Sequence, residues 1–108
     1  DVYKRQVMIR TGEHLLFSLW ATDEFEEEVG PIRTGAGVVP LTLAHNVASE
    51  EKVDAVLAAA AQAGADPVSS AVRRSWGGYS GYFGDPDGYR WEIACAPGPV
   101  NDIVVPKS

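Results

Sequence analysis

Cysteine and basic residues are scarce in this chain and long apolar runs are missing, and each shortage removes a class of function. A single cysteine, Cys95, in 108 residues rules out an internal disulfide. Nine Lys and Arg stand against fifteen Asp and Glu, a formal net charge of -6. That balance makes sequence-independent binding to phosphate backbones or anionic lipid unfavourable, so neither nucleic acid nor a membrane is expected as a partner. No apolar run approaches the length of a membrane span and no charged-then-apolar leader is visible, which makes a cytoplasmic location the expectation. What is present suits a folded domain. Hydrophobic residues make up 45% and charged residues 22%, which argues against disorder, and the length fits one domain with a core of its own.

Residues 1–6, Asp-Val-Tyr-Lys-Arg-Gln, back-translate to a string that looks like a transposon end used in preparing sequencing libraries. They are read as a cloning or assembly scar, the alternative being a short charged natural N-terminus. Val7 to Arg10 and His14 to Trp20 read as strands turning at Thr11-Gly12-Glu13. Thr22 is then the expected N-cap of a short helix whose first turn is rich in Asp and Glu, a favourable match to the helix dipole, and Gly30-Pro31 stops it. Residues 30–40, with three Gly and two Pro, read as a linker. Leu41 to Val47 follows as a strand. Ser49 caps a helix from Glu50 to Ala63, with Val53, Val56, Leu57, Ala60 and Ala61 at helical spacing and Gly64 at its end. A strand is expected near Pro67 to Val72, and residues 98–108 read as a tail.

The stretch from Trp76 to Glu92, WGGYSGYFGDPDGYRWE, carries the most information. It reads as a β-hairpin, Tyr79 to Phe83 and Tyr89 to Ala94, across Asp85-Pro86-Asp87-Gly88, where Pro sets a turn's fixed φ and Gly its left-handed exit. Alternation puts Arg90, Glu92 and Ala94 on one face, fit for a site, and Tyr89, Trp91, Ile93 and Cys95 on the other, fit for a core. Trp91 is expected to be core, and Cys95 to behave as a small hydrophobe rather than a reactive thiol.

GYFGDPDGYRWEI resembles the closing hairpin of the vicinal oxygen chelate superfamily, which includes glyoxalase I, extradiol dioxygenases and bleomycin-resistance proteins, and the likeness runs from about Val7 to Pro97. The resemblance implies an α+β fold of paired βαβββ modules curved around a shared cavity. On that pattern residues 7–29 are the remnant of a first module, 30–40 the linker and 41–97 a complete second module. The first module's opening strand and helix have no counterpart, so an N-terminally truncated chain is expected. Its uncovered sheet predicts self-association, and the expected assembly is a homodimer.

Metal-using members of the family hold a divalent ion on cavity-facing residues, typically two His and two Glu. The resemblance puts the last glutamate ligand on Glu92, the second module's histidine on Thr42 and the first module's glutamate on Ser18, while the first histidine has no counterpart. A divalent metal is thus the implied cofactor, with an incomplete ligand set, since Thr and Ser replace stronger ligands. Parity places His45 with Leu41, Leu43 and Val47, opposite Thr42, Ala44 and Asn46 and away from the cavity; a one-residue register slip would reverse this. His14, at a turn, is assigned no role. Glu92 is the candidate catalytic and metal-binding residue, or else pairs with Arg90, Arg73 or Arg74 and holds the structure closed.

Trp20 shares parity with Ser18, and Trp76 precedes Gly77-Gly78, where small residues allow close approach of a ligand or another backbone. Ser18, Trp20, Thr42, Asn46, Trp76, Tyr82 and Arg90, with Glu92, form the expected ligand-pocket lining; the alternative for Trp76 and Tyr82 is core packing. Gly35-Ala36-Gly37 lacks the setting of a dinucleotide fingerprint, and Ser69, Ser70 and Ser75 lack placed His and acid partners. The expected function is recognition of a small organic molecule between the modules, without a complete metal site. The alternatives are a divalent-metal lyase or dioxygenase, or an inactive fragment of one.

Overall fold

The structure is a computed structural model and describes residues 6–32, 35 and 37–106. Residues 1–5 of the stretch read as a scar, and 33, 34 and 36 of the linker, lie outside the described residues. Gln6 is the first residue of a strand.

Strands β1 (Gln6–Gly12) and β2 (Leu15–Trp20) form an antiparallel hairpin with Val7 opposite Leu19 and Ile9 opposite Phe17, and the register shifts between Arg10 and Gly12. The turn is tighter than the sequence suggested, because Thr11 and Gly12 extend the first strand. Helix α1 (Thr22–Glu28) starts one residue earlier than expected: its N-cap is Ala21, which offers no side-chain bond. Asp23 and Glu24 still occupy the first turn, where their charge meets the free backbone N–H groups.

Five elements follow in the order βαβββ: β3 (Thr42–Asn46), α2 (Glu50–Gln62), β4 (Val72–Arg73), β5 (Tyr79–Gly84) and β6 (Arg90–Cys95). The sheet order is β3-β6-β5-β4, with β3 parallel to β6 and the other pairs antiparallel. The strand expected near Pro67 to Val72 is split. Val68 bridges Phe83 before a separate short strand, β4, pairs with β5. Together with the hairpin sheet this gives an α+β fold.

Ser49 caps α2 as its sequence implies, its Oγ accepting from the Lys52 N–H at 3.2 Å, and Gly64 leaves the helix at φ +96°. The helix buries Val53 and Leu57 against Val47 and Ile93, with Val56, Phe83 and Cys95 packed around them. Fully burying side chains of this size is worth roughly 1.5–3 kcal/mol each. Ala61, read as part of that face, is exposed. Cys95 behaves as a small apolar residue, and burial pushes its thiol up. Gly81 lets the helix come close: a Cβ there would stand 2.6 Å from Leu57 Cδ1 and 2.9 Å from the Ser69 carbonyl.

In the β5–β6 turn the Gly88 N–H donates to the Asp85 carbonyl at 3.0 Å, and Gly88 has the left-handed φ of +90° expected of it. The Asp85 carboxylate accepts from the Asp87 and Tyr89 N–H groups and from Trp91 Nε1. These bonds, the Trp91 one foremost, hold its carboxyl below the usual range. Trp91 is not core as expected. It is half-buried at the turn end of the sheet, stacked on Phe83 at 6.3 Å, because its indole N–H is drawn to Asp85.

Residues 98–104, read as part of a tail, form a third helix, α3 (Gly98–Val104), with proline in its first turn. Only seven residues long, it shows too little apolar periodicity to be recognised. Residues 107 and 108 lie outside the described residues.

Candidate functional site

The register of the mixed sheet decides which side chains meet. Thr42 lies beside Arg90, Ala44 beside Glu92 and Asn46 beside Ala94, so these six share the face opposite α2. On the hairpin, Gln6, Met8, Leu16, Ser18 and Trp20 alternate onto one face, and α1 follows Trp20 directly. Between these surfaces and α3 lies a cleft of about 1120 Å³.

Six of the residues expected at the site line this cleft: Ser18, Trp20, Thr42, Asn46, Trp76 and Glu92. Tyr82 and Arg90 do not. Tyr82 is buried beneath the cleft and reaches its lining through the phenol oxygen, while Arg90 lies towards Gly84, its Nη1 3.0 Å from where a Gly84 Cβ would stand. His45 has the expected parity, beside Ile93, yet it also lines the cleft, together with Leu41 and Leu43. The reason is that β3 is an edge strand, so the cleft reaches around it. His14, given no role from sequence, lies 3.0 Å from the Ile103 carbonyl through Nδ1 and 3.4 Å from the Glu13 carboxylate.

The floor is a polar cluster that the sequence did not reveal as a unit. Trp76 Nε1 donates to Glu28 Oε1 at 3.3 Å, and the Tyr82 hydroxyl meets both Glu28 Oε2, in a short bond, and Glu92 Oε2 at 3.1 Å. Burial, and then the charge of Glu28, pushes the Glu92 carboxyl up to about 7, against smaller opposing effects of Tyr82, Ser80 and Arg74. Burial and the two carboxylates likewise push the Tyr82 phenol far up, so it stays protonated. A phenol has one proton to give. The Tyr82 proton is therefore shared between the two carboxylates, one at a time.

The ion pair suggested for Glu92 is replaced by this cluster. Arg73 makes a two-pronged pair with Glu50, at 2.7 and 2.9 Å. Arg74 donates to the Ser80 Oγ and carbonyl at 2.9 and 3.1 Å and lies over the Tyr82 ring. The space above Gly78 is also not free for a ligand: a Cβ there would collide with the indole of Trp76, which folds over the glycine.

Glu28 and Phe25 are the residues that sequence reasoning missed. Both were absorbed into an acid-rich helix, although their i, i+3 spacing puts them on one face. Phe25 is buried and meets Trp20 edge-on at 5.3 Å, and Glu28 lines the cleft beside it.

The residues at the family's ligand positions do not suit a divalent ion. Ser18 and Thr42 offer hydroxyls, Ser18 already donating to Gln6 at 3.3 Å, and Glu92 is engaged by Tyr82. Among the described residues no group of three or more His, Cys, Asp or Glu is placed to hold a metal.

The hairpin sheet, the βαβββ unit and the cleft between them have the arrangement of a vicinal oxygen chelate domain. Residues 4–93 match the Glyoxalase/Bleomycin resistance protein/Dioxygenase superfamily, and the chain belongs to that family. Among solved structures it is similar to a glyoxalase-related enzyme from Fulvimarina pelagi, at 29% identity and TM-score 0.52, covering 88% of this chain and 67% of that one. It also shares its fold with a protein described as an NAD-dependent benzaldehyde dehydrogenase from Legionella pneumophila, at 23% identity and TM-score 0.62, covering 90% of this chain and 76% of that one. A glyoxalase/bleomycin resistance protein/dioxygenase from Nocardioides shares the fold too, at 17% identity and TM-score 0.52, covering 90% of this chain and 65% of that one. A comparison with curated proteins gives no match. No helix among the described residues is long and apolar enough to cross a membrane.

Proposed function

We propose that this domain binds a small organic molecule in the cleft between the hairpin and the mixed sheet, without a metal. The observation that carries this reading is the lining: an extensive apolar and aromatic wall, including Trp20, Phe25 and Trp76, with a few placed polar groups. That is the usual make-up of a small-molecule site. The donor set argues for recognition over metal-dependent lyase or dioxygenase chemistry, which needs three or more converging protein ligands. Two copies of the chain associate, in this reading, through the face of the hairpin that bears Val7, Ile9, Leu15, Phe17 and Leu19, all exposed, the last three of which also border the cleft. A patch of that kind is unusual on a monomer.

A panel of small aromatic compounds titrated against tryptophan fluorescence tests the binding. Saturable quenching that is lost in Trp76→Ala supports it, and the absence of any saturable response overturns it. Elemental analysis after incubation with nickel, zinc, iron or manganese and desalting tests the other half. Near-stoichiometric metal that disappears in Glu92→Gln would replace recognition with metal chemistry.

A further inference from the structure

We propose that the cleft selects organic cations: molecules with an apolar or aromatic body and a protonated amine or ammonium group seated between Glu28, Glu92 and the aromatic wall. The inference rests on the binding reading above and adds the charge of the ligand. Among the described residues lining the cleft, the acidic ones are Glu28 and Glu92, and no Lys or Arg is present. Arg74, held by Ser80 and lying over the Tyr82 ring, acts on Glu92 and offsets part of its charge, so Glu28 carries the selection. His14 and His45, which also line the cleft, are both exposed to solvent.

The two donors that Glu28 receives, the Trp76 indole N–H and the Tyr82 hydroxyl, are neutral. Neutral donors orient a carboxylate without cancelling its charge. A carboxylate has about four acceptor sites, so a further donor has room to bind. An ammonium group supplies both the missing charge and the missing hydrogen bonds.

The aromatic residues favour the same ligand. Trp20, Phe25 and Trp76 line the cleft beside Glu28, and indole faces attract cations through their quadrupole. An uncharged ligand would gain only the apolar contact while drying a charged carboxylate. An anion would add repulsion from Glu28. The chain's net charge of -6 also raises the local concentration of cations over anions.

Three probes share one ring and side-chain length and differ in charge: phenethylamine, phenethyl alcohol and phenylacetate. Each is titrated by calorimetry near neutral pH with a chelator present to exclude metal. The amine should bind about tenfold more tightly than the alcohol, and phenylacetate more weakly than either. Added sodium chloride should weaken the amine and leave the alcohol unchanged. In Glu28→Gln the preference for the amine should collapse while the alcohol still binds. Equal affinity for amine and alcohol would overturn the choice of cations and leave the binding reading standing, whereas no binding of any probe would remove both. Should Glu28→Gln fail to fold, the salt dependence of the unaltered protein decides, and a salt-insensitive amine would overturn the inference.

Discussion

The Tyr82 hydroxyl lies 3.1 Å from Glu92 Oε2, and the two residues are cross-strand partners in the β5–β6 register. Because the same oxygen also meets Glu28, the phenol separates two carboxylates that would otherwise face each other across the floor of the cleft. Tyr82→Phe removes that bridge and takes one donor from each of two half-buried carboxylates. A loss of roughly 1–3 kcal/mol in urea unfolding is expected, with the Glu92 carboxyl titrating still higher by NMR. An unchanged Glu92 titration would show that Tyr82 does not act on it.

The raised Glu92 carboxyl also sets the direction of a pH effect. Its folded value, about 7, lies above the ordinary 4.5, so the native state holds this proton more tightly than the unfolded chain. Stability from this group is greatest at and below the ordinary value and falls as pH rises towards 7, by on the order of 1–3 kcal/mol. Urea midpoints at mildly acidic and mildly alkaline pH measure it. Glu92→Gln should reduce the difference between the two, and an identical difference in the variant would refute the assignment.

Gly81→Ala tests the close approach of α2 to β5. The added carbon would press on Leu57 and on the Ser69 carbonyl, and the second of these is backbone that cannot move aside. Destabilisation of about 1–3 kcal/mol is expected, visible as a lower thermal midpoint. Retention of the native midpoint would mean that α2 sits farther from the sheet.

Gly78→Ala should act on the cleft more than on the fold. The new methyl group displaces the Trp76 indole, and with it the bond to Glu28. Tryptophan emission should shift to longer wavelength with far-UV circular dichroism preserved, and affinity for any cleft ligand should fall. Unaltered emission would show that Trp76 keeps its place by another route.

Phe17→Glu places a charge in the exposed apolar face of the hairpin. If two copies meet there, sedimentation should give a dimer for the parent chain and a monomer for the variant. A monomeric parent chain would remove self-association.

The second half of the fold was legible because its signals are local. Ser49, the Val53 to Leu57 spacing and Gly64 state the limits of α2, and Asp85-Pro86-Asp87-Gly88 states the turn between β5 and β6. Alternation then placed Glu92 and Trp20 on the faces that line the cleft. The Glu28, Tyr82 and Glu92 cluster depends instead on how α1 docks over β5, a contact across 54 residues that leaves no trace in either segment's own pattern. Helix α3 escaped notice for the opposite reason: its seven residues are too few to establish a period.

The parallel pairing of β3 with β6 bears on how the chain is made. Among the described residues β3 has β6 as its sole neighbour in the sheet, and β6, although central, comes last among the strands. During synthesis β3 therefore has no sheet to join until residues 90–95 have emerged, and α2 can bury Val53 and Leu57 only partly before Ile93 arrives. A chain interrupted just before Arg90 would lack both the partner of β3 and the Ile93 side chain that completes the core under α2.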